Sequence, residues 1–245
     1  MKGKYLPVSL VIVLLGACFS LSAQTNTQLW MDWQVSYPFR NRYLLENTTS
    51  YQTLLTKGER WASFSLSPNL EYTLLPWLDL TAELPVAYTR QTDQSSSFEF
   101  SPMVGAKYSI TQNKRVTIRL LTKFQHRNFY HIESNTWELK GRFRVKGEVW
   151  VSINHPTLFY DKLWYTFVDY EEFIVIDEQV NERYANLRRA RLGLGYRHSY
   201  AHRFEIVYSW QYSRDEISDV FTYSDKIIQL RYKLYLNAPK VASGN

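Results

Sequence analysis

The chain has 245 residues, which is one domain or at most two, with a formal charge of +6 and 16% aromatic side chains, 19 of them Tyr and 8 Trp. Its mean hydropathy is −0.37, and past the N-terminus there is no run of about 18 apolar residues, which excludes helical membrane spans. The mild basicity is no footprint for nucleic acid.

The first residues carry export chemistry. Lys2 and Lys4 precede an apolar core over 6–19, and Leu21-Ser22-Ala23 supplies a small-residue cleavage site before Gln24. The division is a signal peptide over 1–23 and one β-barrel domain over 24–245. Removal of Lys2 and Lys4 takes the formal charge from +6 to +4 and leaves no cysteine. A rival cut exists at Leu15-Gly16-Ala17-Cys18, which resembles a lipobox and would make Cys18 a lipid-modified N-terminus.

Beyond the leader the chain alternates with period two, the signature of strands with one apolar and one polar face. Leu29, Met31, Trp33, Val35 and Tyr37 oppose Trp30, Asp32, Gln34 and Ser36, and the chain turns at 38–41. Tyr43, Leu45, Thr49, Tyr51 and Leu55 oppose Glu46, Thr48, Ser50 and Gln52. Phe64, Leu66, Leu70 and Tyr72 oppose Ser63, Ser65, Ser67, Asn69 and Glu71, with a tight turn at Leu75-Pro76. Leu78 to Tyr88 continue opposite Asp79, Thr81 and Glu83. Phe98, Phe100, Val104, Ala106 and Tyr108 oppose Glu99, Ser101, Gly105 and Lys107. Val116, Ile118, Leu120 and Phe124 oppose Arg119, Lys123, Gln125 and Arg127. Trp137, Leu139, Phe143 and Val145 oppose Glu138, Lys140, Arg142 and Arg144.

Over 146–176 the pattern blurs. Asn154-His155-Pro156-Thr157 reads as a turn and 164–174 as the next strand, with open parity around Glu171 and Glu172. The clearest hairpin follows. Ala190, Leu192, Leu194 and Tyr196, then Phe204, Ile206, Tyr208 and Trp210, alternate with Arg189, Arg191, Gly193, Gly195, Arg197, Arg203, Glu205 and Ser209 about a turn at 198–202. Ile228, Leu230, Tyr232, Leu234 and Leu236 make the last strand, opposite Arg231 and Lys233. Tyr235 lies near the position of a terminal assembly signal, so the barrel-assembly machinery is an expected partner.

An aromatic-rich apolar face on such strands points to lipid on one side and water or buried charge on the other. The fold expected is all-β, an antiparallel up-and-down transmembrane β-barrel of about 10–12 strands. The segments number about eleven, while single-chain bacterial barrels usually have an even number. The expected miscount is at the first strand or in the blurred region. Turns at Pro38, Pro76, Asn113, His155 and Tyr200 form a short, periplasmic set, and connections at Lys57, Asp93, Glu133, Glu178 and Asp219 an outer set.

The inward charges segregate along the chain. Glu46, Glu71, Asp79, Glu83 and Glu99 come early with Lys107. Arg119, Lys123, Arg127, Lys140, Arg142, Arg144, Arg189, Arg191, Arg197, Arg203, Arg231 and Lys233 come later. An acidic wall facing a basic wall across a narrow lumen gives either a plug of cross-lumen salt bridges or a thin path whose excess base favours anions.

Chemistry-bearing constellations are sparse. His198 and His202 share a turn without a carboxylate cluster, so no metal or other cofactor is expected. Ser209 with His198 or His126 is the only arrangement to consider for a lipid-modifying enzyme, and nothing in the spacing demands it. Asp169, Glu171 and Glu172 form a paired-acid candidate whose plainer reading is a strand end meeting water. Gly193 and Gly195 read as room for a neighbouring Arg or aromatic rather than a phosphate loop.

Tyr170-Glu171-Glu172-Phe173, Asn181-Glu182-Arg183, the run from Leu187 through Gly193-Leu194-Gly195-Tyr196-Arg197, and Phe204-Glu205-Ile206-Val207-Tyr208 resemble the outer-membrane proteins grouped as domain of unknown function 2490, common in Bacteroidetes. Leu29-Trp30 after the leader fits the same order. The resemblance covers most of the mature chain and implies an outer-membrane barrel without an assigned activity, so it transfers no functional residues.

The expectation is therefore a non-enzymatic barrel in the outer membrane of a Gram-negative bacterium, structural or a pore for a small solute. Its partners would be outer-membrane lipid and the assembly machinery. A secreted ligand-binding β-sandwich is the further alternative.

Overall fold

The computed structural model describes residues 26–55, 61–92, 95–112, 114–176, 187–214 and 221–237. Both leader cleavage sites, the connections at Lys57, Asp93, Glu178 and Asp219, the turn residue Asn113 and the tail beyond 237 lie outside these residues.

The strands are β1 (Asn26–Phe39), β2 (Tyr43–Leu54), β3 (Ala62–Leu75), β4 (Leu78–Glu83), β5 (Val86–Thr92), β6 (Ser95–Phe100) and β7 (Met103–Ser109). They continue as β8 (Val116–His131), β9 (Thr136–Ser152), β10 (Leu163–Val175), β11 (Leu187–Arg197), β12 (His202–Arg214) and β13 (Phe221–Tyr235). β4 and β5 both pair with β3, end to end, and β6 and β7 both pair with β8. Each of these couples is one barrel strand broken by Pro85 or Pro102, which cannot donate to the ladder. Their carbonyls still accept, from Ser101 N at 2.9 Å and His126 N at 3.0 Å, and Pro68 on β3 accepts from Leu84 N at 2.9 Å.

The result is a closed barrel of 11 strands. All neighbouring strands pair antiparallel except at the seam, where β1 and β13 run parallel from Asn26 opposite Asp225 to Ser36 opposite Tyr235. The odd count is real rather than a miscounted even one. An odd meander brings its last strand back pointing the same way as its first, so closure requires one parallel ladder.

The pleat divides each strand as the alternation predicts. Trp33 is 46% exposed beside Asp32 at 9%, and Phe64 is 48% exposed beside Ser63 at 7%. Apolar side chains cover the outer surface and polar ones fill the enclosed face. Register lines the outer aromatics up around the barrel. Tyr51, Phe64, Tyr88, Phe98, Tyr130 and Trp137 are successive partners across β2, β3, β5, β6, β8 and β9. Near the other end Trp164, Tyr196, Phe204, Tyr232 and Trp33 are successive partners across β10 to β13 and β1. Tyr43 and Tyr72 pair at that same end, with ring centroids 5.0 Å apart.

The connections fall at two ends. The turn end carries 40–42, 76–77, 110–115, 153–162 and 198–201, and the loop end carries 55–61, 93–94, 132–135, 176–186 and 215–220. Arg40 and Asn41 both have positive φ, at 50° and 57°, as a primed hairpin turn requires. The connection 153–162 departs from the expected short set, being longer than any other connection at the turn end.

Candidate functional site in the barrel interior

The interior is ordered from the turn end to the loop end by what its strands point inward. Next to the turn end, on the β9 to β12 side, it is apolar. β10 is apolar on both faces there, so Leu163, Tyr165 and Phe167 are buried inside while Trp164 and Val168 face out. This is why parity blurred in the sequence: a strand with no polar face shows no alternation. These three residues pack with Val207 of β12, and Trp150 and Leu158 close around them. Room for the rings comes from β11. A Cβ on Gly193 would lie 2.2 Å from Phe167 Cζ, and one on Gly195 would lie 2.2 Å from Tyr165 Cζ. The glycines make space for an aromatic neighbour, as the sequence suggested.

Leu158 belongs to the connection 153–162, which is drawn onto the barrel's mouth. Asn154 clasps it, donating from Nδ2 to Lys162 O at 2.9 Å and accepting from Trp164 N at 2.8 Å. Arg197 Nη1 donates to Leu158 O at 3.0 Å, and His155 stacks on Tyr160 at 4.8 Å. The expected turn around His155 is thus a structured cap.

The rest of the interior is a network of charge. On the β3 to β8 side Lys107 contacts Glu71 and lies 3.2 Å from Asp79, Lys123 lies 2.6 Å from Glu83, and Arg127 Nε lies 2.8 Å from Glu99. Glu46 accepts from Gln34 Nε2 at 2.5 Å and from Ser36 Oγ at 3.1 Å. On the β9 to β13 side Arg144 reaches Glu171 at 2.6 Å, while Arg191 reaches Asp169 at 2.6 Å and Glu171 at 3.1 Å. Glu205 takes Lys233 at 2.8 Å, Arg231 at 3.6 Å and the Tyr165 hydroxyl at 2.7 Å. Arg231 also lies 3.5 Å from Asp32 across the parallel seam.

The early carboxylates and later bases named from the sequence are each buried or half-buried, and their pairing differs from salt bridges spanning the lumen. Each pair joins strands that are adjacent or separated by a single neighbour, because a carboxylate there is nearer than any on the opposite wall. Two cation–π contacts reach further across. Lys233 of β13 sits 5.6 Å from the Trp150 ring of β9, and Arg189 of β11 sits 5.1 Å from the Trp30 ring of β1. Arg119 also covers Trp150, at 5.8 Å, and Arg142 donates to Gln125 at 2.6 Å. Arg197 and Arg203 hold the turn end, lying over Tyr200 at 5.6 Å and Tyr235 at 3.9 Å.

The carboxylates that neutralise the late bases, Asp169, Glu171 and Glu205, were missing from the acidic wall. Asp169 and Glu171 read as a water-facing acid pair, yet they are 4% and 2% exposed and clamped by arginines. The usable signal was register: Asp169 and Glu171 stand opposite Arg191 and Arg189. Glu172 alone faces out, with Arg188 at 2.8 Å.

The groups considered for catalysis are not brought together. Ser209 is buried inside opposite Arg191, whereas His126 is exposed on the outer face and His198 is exposed at the turn. His202 contacts the Tyr232 hydroxyl at 2.8 Å. Among the described residues no cluster of His, Cys, Asp and Glu has metal-binding geometry.

The family described as Protein of unknown function (DUF2490) matches residues 27–222, most of the chain. The chain belongs to that family. No curated protein matches it. Among solved structures the DUF2490 chain is similar to a NanC porin in a rhombohedral crystal form, at 13% identity and a TM-score of 0.45, covering 81% of this chain and 87% of the porin. The DUF2490 match spans every barrel strand except the last, so the interior network, apart from the residues on β13, belongs to the family's domain.

Proposed function

We propose that the protein is an outer-membrane β-barrel of a Gram-negative bacterium, non-enzymatic, with a charged interior occluded at its periplasmic mouth. The observation that carries the reading is the pair of outer aromatic rows. Tyr43 and Tyr51 on β2, and Tyr72 and Phe64 on β3, are separated by about 27 Å along the strand at ~3.4 Å per residue. With a tilt near 40° this is about 21 Å along the barrel axis, close to the ~25 Å band between the girdles of outer-membrane barrels. Between the rows on β3 lie Leu66, Pro68 and Leu70, as hydrocarbon contact requires.

Occlusion is supported by the apolar cluster and by Leu158. An ion path closed by Leu, Phe and Tyr side chains has no group to replace hydration. The turn end is read as periplasmic and the loop end as external. In planar bilayers the refolded protein is expected to be nearly silent while showing heat-modifiable gel migration and resisting carbonate extraction. Release by carbonate without detergent would overturn the membrane reading, and a large steady conductance would overturn the occluded one.

A further inference from the structure

Among the described residues, the interior toward the loop end gathers several guanidinium groups around one ring. Phe173, 4% exposed, points inward from β10, and the guanidinium carbons of Arg142, Arg144 and Arg189 lie 4.8, 4.9 and 5.6 Å from its ring centroid. Among the described residues only one of the three is neutralised by a carboxylate. Arg144 donates to Glu171 Oε1 from Nε at 3.0 Å and Nη2 at 2.6 Å, and the other oxygen of Glu171 is taken by Arg191. Glu99 is occupied by Arg127 through two hydrogen bonds, at 2.8 and 3.0 Å.

Arg142 and Arg189 are left with neutral acceptors. Arg142 Nε donates to Gln125 Oε1 at 2.6 Å, and Arg189 donates to Gln211 Oε1 from Nε at 3.2 Å and Nη2 at 2.7 Å. Among the described residues no carboxylate lies within 4.0 Å of either guanidinium. On the Arg144 side of this cluster a small cavity of about 30 Å³ is bounded by Lys123, Arg144, Lys146, Leu121 and Glu171.

Crowding three cations around one ring, away from bulk water, is unfavourable unless a counter-charge is supplied. A ring quadrupole and two amide carbonyls offset only part of that cost. Both arginines are half-buried rather than sealed, and a planar guanidinium fork matches an oxyanion in shape. We propose that Arg142 and Arg189, set over Phe173, form a binding site for a small oxyanion, whether carboxylate, sulfate or phosphate, reached from the loop end. The site deepens the reading of a charged interior and does not require ion flow through the barrel.

The test is the thermal unfolding of the refolded barrel in detergent, titrated with sodium sulfate against sodium chloride at equal ionic strength. A saturable sulfate-specific rise in midpoint is expected in the millimolar range. R189Q and Q125E are each expected to weaken the apparent sulfate affinity by about tenfold, the consequence of losing one charge-assisted hydrogen-bond donor. Q125E leaves every arginine in place and gives Arg142 a carboxylate of its own, so loss of sulfate response in a variant that folds at least as well assigns the site. General stabilisation by sulfate is shared by all variants and does not saturate. A wild-type barrel without the saturable response, or an undiminished response in the R189Q/Q125E double variant, would overturn the proposal. Because the readout is binding, failure of the site is seen separately from failure of the membrane or occlusion readings.

Discussion

Two halves of the interior use the same charges in different surroundings. Along β3 to β8 the paired carboxylates Glu71, Asp79, Glu83 and Glu99 keep side-chain exposures of 17 to 20%. They stand among short inward residues such as Ser63, Ser65, Ser67 and Thr81. Along β9 to β13, Asp169, Glu171 and Glu205 keep 4, 3 and 1%, Asp169 held by Arg191 and the two glutamates each shared among several donors. Water reaches the first half and screens its pairs. In the second half a carboxylate is held almost entirely by protein, so its loss cannot be made good by solvent. The looser packing of the interior therefore lies along the wall of small hydroxyl side chains, and the tighter packing in the wall of arginines and rings.

The largest expected effect is in the packed half. Glu205→Ala strips the partner from Lys233, Arg231 and the Tyr165 hydroxyl at once, and a loss of about 3–5 kcal/mol follows from leaving buried charge uncompensated. The check is the midpoint of urea unfolding of the refolded barrel; a loss under about 1 kcal/mol, the value of an exposed pair, would erase the contrast between the halves. Next is Gly193→Ala, whose Cβ meets the Phe167 ring. Overpacking of about 1–3 kcal/mol is expected, relieved in the double variant with Phe167→Leu, which a double-mutant cycle measures. Smallest is Lys123→Met in the wetter half. Its pair with Glu83 is expected to be worth about 1 kcal/mol or less, and the loss should shrink further in high salt.

The same contrast explains what could be read from the chain. Strands with one polar and one apolar face announced themselves, and the outward residues of β1, β3, β8, β12 and β13 were legible down to single positions. Pro85 and Pro102 did not hide the continuity of the strands they interrupt, because parity persists from Leu84 to Val86 and from Phe100 to Val104. The interior apolar layer was not legible. Leu163, Tyr165 and Phe167 obey no alternation, and what buries them is ring packing over Gly193 and Gly195 from a strand 26 residues or more along the chain. Nor could local pattern show that Asp169 and Glu171 are clamped, since their partners are fixed by the register of β10 against β9 and β11. The parallel seam lay beyond any local signal, being a property of how many strands there are rather than of what any one contains.

That seam has a topological corollary. In a meander with an even number of strands both chain ends emerge on one side, but here Asn26 begins β1 at the loop end and Asn237 follows β13 at the turn end. Labels fused at the two extremities of this barrel would consequently report on opposite ends of the cylinder. Joining the extremities by a peptide linker, as in circular permutation, would require that linker to traverse the whole thickness of the sheet's cylinder.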